Sequence, residues 1–364
     1  MSAKFVCRTS NVHMTRSFFF ALSVVAFSIP VYAQGGAQQP APAAAPPEYP
    51  IVRVGVLSYL QYASELENRD GLNSFDVTRA YLNINAQMAD RVRFRFTPDV
   101  RRVTDGTLAG SLTVRVKYAF LQVDNVGPRS WIRFGLAQTP WLDFEESVNR
   151  YRVQGTMFSE REGLIPGSAD FGAGYFASLP GNYGEFHAGV YNGEGFTQAD
   201  PNKYKSVQGR LTVRPLPGKG LADYFRISGF YSLGWYAADR PRNVGIVMGH
   251  YEHPHLVATV ERVDATESPL ALPPGDIQRS GWSAFIEPRQ GPLGWAGIIR
   301  MDSFDPDNSL ADNTHTRVIA GGAYWLAWNR ARLGLVVTNE QVSYDPGDGR
   351  ADENRLLFQT HVEF

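Results

Sequence analysis

Hydrophobic and polar residues alternate along many short stretches of the chain. In RVRFRFTPDV (91–100), Val92, Phe94 and Phe96 fall on one side and three arginines fall on the other. A period of two residues is typical of a β-strand whose faces meet different surroundings. The alternation recurs in YLNINAQ (81–87), SLTVRVKYAF (111–120), WIRFGL (131–136) and VQGRLTVRPL (207–216). No convincing amphipathic helix follows residue 50, so the pattern predicts an all-β chain.

Sixteen segments carry this pattern. The predicted strands are 51–63, 75–87, 91–101, 111–124, 131–138, 169–179, 184–193, 204–215, 223–235, 244–252, 255–263, 277–287, 292–302, 316–328, 330–344 and 354–364. Short links follow the even-numbered strands and longer ones follow the odd-numbered strands, the longest being 139–168. A transmembrane antiparallel up-and-down β-barrel has turns at one rim, loops at the other and an even number of strands. We therefore predict such a barrel over residues 50–364, since a soluble sandwich has no reason to segregate its loops by length.

The alternation also predicts which side of each strand faces lipid. In the fourth strand Val114, Val116, Tyr118 and Phe120 are expected outside, with Lys117 inside, and Leu136 of the fifth strand is expected outside as well. Trp131, Trp325, Trp328 and Tyr344 lie near strand ends, as in an interfacial aromatic girdle. The strand 244–252 alternates less cleanly. The alternative is a soluble sheet whose arginines lie on its solvated face.

The two ends of the chain carry separate signals. Residues 1–33 have a basic start, an apolar run and a cleavage site of small residues, which predicts a secretory signal peptide. Met14 begins a more compact version of the same signal. The Pro/Ala-rich segment 34–49 is expected to be flexible. The last stretch, LLFQTHVEF (356–364), alternates up to a terminal Phe364 and is expected to pair with the first strand, closing the barrel.

Charge and cysteine content narrow the classes further. The single cysteine, Cys7, lies within the predicted signal, so the mature chain has no disulfide or Cys-based metal site. Lys4, Arg8 and Arg16 leave with that segment, which takes the formal net charge from −1 to −4. A negative chain of this kind does not indicate a nucleic-acid partner.

Basic residues concentrate on the predicted inner face of strands 2 to 5. This basic wall consists of Arg79, Arg91, Arg93, Arg95, Arg115, Lys117 and Arg133. Arginine-lined pores favour anions because planar guanidinium groups replace part of an anion's hydration. The alternative is that the wall pairs with lumen acids and sets no selectivity. The acids available for that pairing are Asp76, Asp99, Asp124, Glu261, Glu287, Asp302 and Glu340.

The link 139–168 is too long to be an ordinary turn, and long connections of this kind are usually functional. Its central charged residues are Asp143, Glu145, Glu146, Arg150 and Arg152. We expect the segment to fold inward and act as a constriction loop. The alternative is an extracellular loop whose charges are solvated.

Two stretches resemble the phosphate-selective porin O and P family of bacterial outer-membrane porins. They are FDVTRAYLNINAQMADRVRFRFTPDV (75–100) and RFGLAQTPWLDFEES (133–147), the latter entering a Thr-Pro-aromatic loop. The resemblance implies a water-filled trimeric pore for anions. Gln138 stands where the family pattern has Lys, and the mature chain has only four lysines (Lys117, Lys203, Lys205 and Lys219). A lysine-rich funnel is therefore not carried over.

The resulting hypothesis is a porin for passive diffusion of small hydrophilic, preferably anionic solutes, phosphate-like ones included. Its expected partners are the lipid and lipopolysaccharide of a Gram-negative-type outer membrane, two further copies in a homotrimer, and the outer-membrane assembly machinery that reads the last strand. No catalytic residue, metal or cofactor is predicted. One rival is a non-conducting structural or adhesive barrel. Another is a lipase-type barrel enzyme, which needs a Ser/His pair on adjacent strands facing lipid, and the sequence alone assembles none.

Overall fold

The described residues form one closed antiparallel barrel. The structure is a computed structural model and describes residues 47–67, 71–104 and 106–364. Its strands are β1 (Ile51–Glu67), β2 (Asn73–Ala89), β3 (Val92–Arg102), β4 (Leu112–Asp124), β5 (Ser130–Gln138), β6 (Ala169–Ser178), β7 (Gly184–Tyr191), β8 (Ser206–Val213), β9 (Phe225–Ala237), β10 (Arg240–His253), β11 (Leu256–Glu267), β12 (Ile277–Pro288), β13 (Gly294–Asp305), β14 (His315–Trp328), β15 (Ala331–Tyr344) and β16 (Glu353–Glu363). The predicted sixteen-stranded barrel is confirmed.

Helices occur only between strands in the described part of the chain. They are the α-helices α1 (Leu142–Val148) and α2 (Phe158–Arg161) and the 3-10 turns Gly106–Leu108, Pro180–Asn182 and Gly220–Tyr224. None of the helices in these residues is long and apolar enough to cross a membrane. The predicted signal peptide 1–33, and residues 34–46 of the segment that follows it, lie outside the described residues.

Every strand pairs with its sequence neighbours, and β1 also pairs with β16. The ring closes through the predicted terminal pairing, in which the backbone groups of Val56 and Phe364 exchange two hydrogen bonds of 2.8 and 3.0 Å. Links at the β2–β3 end are mostly short and those at the other end are mostly longer. The β9–β10 link is an exception, since only residues 238 and 239 separate those strands. Asp239 adopts a positive φ of 58° in this tight turn.

The outer surface of the barrel is apolar. Phe75 is 83% exposed and Val114 is 70% exposed, and large hydrophobic side chains on most other strands are exposed as well. In β8, Val207 and Leu211 are exposed whereas Gln208 is buried, as the alternation predicted. A barrel that presents hydrophobic side chains outward and polar ones inward is stable only when lipid surrounds it.

A β-bulge changes the faces predicted for β4. Thr97 pairs with Tyr118, but the next residue, Pro98, pairs with Val116, so Lys117 is an extra residue. Pro98 has no N–H to donate to the ladder, which is why strands accommodate proline at bulges. Lys117 and Tyr118 consequently both point inward, and the expected outward positions of Tyr118 and Phe120 are wrong.

The inner face of β9 to β15 mixes apolar side chains with polar and charged ones, whereas the alternation predicted a polar lumen. In β10, Val244, Ile246 and Met248 are buried inside the barrel while Val247 is 59% exposed outside. This strand alternates poorly because both of its faces are hydrophobic. Trp325 also lies inside, in contact with His361, so its place in the predicted aromatic girdle is wrong.

Candidate functional site

The segment 139–168 crosses the inside of the barrel. Its contacts reach strands on widely separated parts of the wall. Trp141 packs against Phe230 of β9. Arg150 Nε donates to Glu287 Oε1 of β12 at 2.7 Å, and Gln154 Nε2 donates to Glu340 Oε2 of β15 at 2.7 Å. Only a segment within the lumen can touch the inner faces of all three strands, and we call it the inner loop.

Apolar packing holds the inner loop against the wall of β9 to β15. Trp141, Leu142, Phe158 and Leu164 are almost completely buried in one hydrophobic cluster with residues of these strands. Phe158 meets Phe304 edge-on, with ring centroids 6.0 Å apart. Each fully buried side chain of this size stabilises the packing of the loop against the wall by about 1.5–3 kcal/mol. The apolar side chains of the inner loop therefore cover the apolar side chains on the inner face of these strands.

Charged anchors supplement this packing. Arg210 of β8 donates from Nε to the carbonyl of Pro140 at 2.9 Å, at the start of the inner loop. Glu340 of β15 is surrounded by the guanidinium groups of Arg161, Arg317 and Arg355. Its pairing with Arg161 ties the far end of the loop to the wall.

Glu145 and Arg150 of the predicted constriction face away from the basic wall. Arg150 pairs with Glu287, with Nη2 and Oε1 2.5 Å apart. Glu145 is buried beside Glu261 of β11, and one oxygen of each carboxyl lacks a hydrogen-bond partner. Burial raises the pKa of Glu145 to about 7, although the charge of Arg300 opposes the rise. Both residues therefore secure the loop, and neither faces the basic wall.

The remaining charges of α1 face the basic wall. Glu146 Oε2 lies 4.0 Å from Arg79 Nη1 of β2. Glu146 also pairs with Arg152 at 2.8 Å, and Arg152 pairs with Glu160 at 2.9 Å. Asp143 lines a cavity of about 180 Å³ together with Arg133 of β5. An acidic side of the loop thus stands opposite the cationic side of the barrel.

The middle of the basic wall is closely packed. Lys117 is only 3% exposed, and its Nζ donates to the hydroxyl of Tyr81 at 2.5 Å. Tyr59 and Tyr118 are also buried here. Phe196, from the link between β7 and β8, lies within 5.5 Å of Lys117 Nζ by its ring centroid. These side chains narrow the lumen between the wall and the inner loop.

Two arginines of the wall are neutralised by acids that the sequence offered. Arg93 Nη2 lies 2.5 Å from Asp124 Oδ1, and Arg115 Nη2 lies 2.9 Å from Asp99 Oδ2. Arg91 lies in the link between β2 and β3, exposed and apart from the other six. The alternative of internal charge pairing therefore applies to part of the wall.

Arg95 and Arg133 have neutral partners instead. Arg95 Nη2 donates to Asn83 at 2.8 Å, and Arg133 Nε donates to Gln122 at 2.7 Å. Arg133 also lies 3.9 Å from the ring centroid of Trp131, which places that tryptophan inside the barrel and corrects its girdle assignment. Leu136 is buried rather than lipid-facing, which corrects its predicted outward position.

Arg53 of β1 lines one cavity with Arg93, Arg95 and Arg133, and sequence reasoning missed it. Val52, Val54 and Val56 alternate with Arg53 and Gly55, so the same period-2 pattern was the signal that could have found this arginine. In the described part of the chain no carboxylate lies within ion-pair distance of Arg53, Arg95 or Arg133. These three guanidinium groups therefore have no direct ion-pair partner among the described residues, and the charge of Asp143 in α1 offsets only part of that of Arg133 and Arg95.

A Ser/His pair on adjacent strands, which sequence reasoning did not assemble, is present. Ser228 Oγ of β9 lies 2.9 Å from His250 Nε2 of β10, and His250 Nδ1 lies 2.9 Å from Glu252 Oε1. The pair faces inward rather than toward lipid, because Phe144 of α1 packs against His250. Ser228 is 0% exposed and His250 is 1% exposed. Among the described residues no group of three or more His, Cys, Asp and Glu side chains is arranged to hold a metal ion.

Comparison with known proteins supports the fold. No protein-family model matches the chain, and no curated protein does. The solved anion-selective porin from Comamonas acidovorans is similar, with 11% identity over 87% of this chain and 100% of that chain and a TM-score of 0.61. OmpF of Salmonella typhi in complex with daunomycin has 13% identity over 86% of this chain and 97% of that chain, with a TM-score of 0.59. The trimer form of OmpT, an outer-membrane protein of Vibrio cholerae, has 13% identity over 87% of this chain and 100% of that chain, with a TM-score of 0.56.

At these identities the likeness establishes the barrel fold that this chain shares with outer-membrane porins. The apolar outer surface requires a bilayer. Together, the fold and that surface place the protein in the outer membrane of a Gram-negative-type bacterium.

Proposed function

We propose that this protein is a porin that passes small hydrophilic solutes by passive diffusion and favours anions. The observation that carries the preference is the set of guanidinium groups of Arg53, Arg95 and Arg133, which have no ion-pair partner among the described residues. Each such charge attracts an anion at ~7 Å by roughly 1–2 kcal/mol at an effective dielectric constant between those of water and protein. The basic wall acts as the pore lining, and the inner loop acts as the constriction.

The finer parts of the proposal rest on the sequence resemblance and on the neighbouring structures. Phosphate-like anions belong to it because guanidinium forks match oxyanions. A homotrimer belongs to it because one similar barrel is described as a trimer. Lipopolysaccharide contacts the outer surface in this proposal, and the assembly machinery recognises the last strand, which ends at Phe364.

The test is the reversal potential of refolded protein in a planar bilayer under a KCl gradient. We expect the reversal potential of wild type to lie toward the equilibrium potential of chloride. In Arg95→Gln and Arg133→Gln it should move toward zero. The matched control is Arg350→Gln, because Arg350 pairs with Asp348 in the link after β15. A cation-selective wild type would overturn the anion preference and assign selectivity to Asp143 and Glu146.

A non-conducting structural barrel is the second candidate, and one observation favours it. Tyr59, Tyr81, Lys117 and Tyr118 are all buried where α1 meets the wall. Side chains packed in this way can close a lumen. Absence of any conductance from protein shown to be folded would favour this candidate over the porin.

A further inference from the structure

Four arginines form an ordered array at the end of the lumen where the short turns lie. The strand register places them in two rungs, Arg53–Asn85–Arg95 across β1, β2 and β3, and Arg93–Gln122–Arg133 across β3, β4 and β5. Neighbouring strands are about 4.8 Å apart, so the arginines of one rung are roughly 10 Å apart at the backbone. The rungs are two residues apart along each strand, or roughly 7 Å.

Each rung alternates a guanidinium with an amide. Gln122 Oε1 accepts from Arg133 Nε at 2.7 Å, and Gln122 Nε2 donates to Asp124 at 2.6 Å. Amides satisfy hydrogen bonds without neutralising charge. Within the described residues Asp124 is the one carboxylate in ion-pair contact with these four arginines, through Arg93, so the four keep an excess of positive charge.

These side chains surround open space. They line a cavity of about 360 Å³, together with Asn85, Gln87, Phe120 and Gln122. No inner-loop residue lines this cavity. Its volume lies within the range of about 300–1,000 Å³ that is typical of small-molecule sites.

We propose that this cavity, here called the arginine cavity, binds small polyvalent oxyanions that carry two or more carboxylate or phosphate groups. The arginines are spread over backbone positions roughly 7–10 Å apart, so a single oxyanion engages fewer of them than a larger molecule does. A molecule with several anionic groups can engage arginines of both rungs at once by forked hydrogen bonds. The inference deepens the proposed function, because it names the solute class that the pore selects as it passes the turn end.

Calorimetric titration of the refolded full-length protein in detergent tests the site directly. Citrate is the polyvalent probe and acetate is the monovalent one. We expect wild type to bind citrate and to bind acetate at least about tenfold more weakly. The double variant Arg53→Gln/Arg133→Gln should weaken citrate binding at least about tenfold, whereas Arg350→Gln should not change it. Higher salt should also weaken binding by screening.

The controls separate this inference from the proposed function. Barrel folding of each variant is checked by circular dichroism, and the single variants replace the double variant if it does not fold. Equal affinity for citrate and acetate, or equal citrate affinity in folded wild type and variants, would overturn the arginine cavity. Conductance is measured separately. A conducting barrel without citrate binding overturns the site alone, and citrate binding without conductance supports the site while overturning the porin.

Discussion

Arg79 of β2 and Glu146 of α1 form an ion pair between the barrel wall and the inner loop, with Nη1 and Oε2 4.0 Å apart. Burial alone would raise the pKa of Glu146, but the guanidinium groups of Arg152 and Arg79 outweigh it and lower the pKa below its usual value. Glu146 is therefore ionised at neutral pH. It offsets part of the cationic field of the wall where α1 faces β2.

Removing that carboxylate should strengthen the preference for anions. Glu146→Gln leaves Arg79 and Arg152 without their shared acid, so we expect the chloride-over-potassium permeability ratio to rise on the order of twofold. The reversal potential in a KCl gradient measures it. Glu353→Gln, beside Tyr344, is the control and should leave the ratio unchanged. An unchanged ratio in Glu146→Gln would remove α1 from the conducting path.

The packing of α1 against the inner wall of the barrel should become less stable as pH rises through neutrality. Burial beside Glu261 raises the pKa of Glu145 to about 7, above its ordinary value near 4.5. A raised pKa means that the folded state favours the protonated form, so the associated stability is complete below about pH 4.5 and is lost as pH passes 7. Arg300 and Asp302 also face this pair. We expect a loss on the order of 3 kcal/mol.

Urea denaturation between pH 5 and pH 8.5 measures this effect. The unfolding midpoint of wild type should fall across that range, and that of Glu145→Gln should fall less, because the amide carries no charge to bury. Equal pH dependence in the two proteins would mean that groups other than Glu145 cause the pH dependence of stability.

The aromatic contact between Phe158 and Phe304 should hold the inner loop in place. Phe158→Ala removes a fully buried ring from the loop–wall cluster and should cost about 3–5 kcal/mol. Limited proteolysis should then cut the segment 139–168 faster than in wild type. Phe171→Ala is the matched control, because Phe171 is half-exposed on the outer surface. Equal cleavage in both variants would show that the ring does not secure the loop.

Ser228 should be inert as a nucleophile despite its contact with His250. A fluorophosphonate probe should not label folded wild type, because Phe144 covers the histidine and the serine is fully buried. Ser228→Ala should instead destabilise the barrel by roughly 1–3 kcal/mol, since Thr212 and His250 lose a buried partner. If the probe labelled wild type but not Ser228→Ala, Ser228 would be a reactive nucleophile and the enzyme hypothesis would be supported.

The period-2 pattern was sufficient to predict the barrel. Where lipid lies on one side and polar groups on the other, as at Val207 and Gln208, the two environments impose strict alternation, which can be read in the sequence. Strand number, the ring closure by the last strand and the long fifth link follow from the same pattern. These features depend on local chemistry, which the sequence displays directly.

Other features were decided only by the tertiary structure. The bulge at Lys117 changed the direction of Tyr118, because register is a property of two paired strands and not of one. The apolar inner face at Ile246 became interpretable only with the inner loop packed on it. Arg150 and Glu287 are 137 residues apart in sequence, so only the closed barrel brings them together and turns a loop arginine into an anchor.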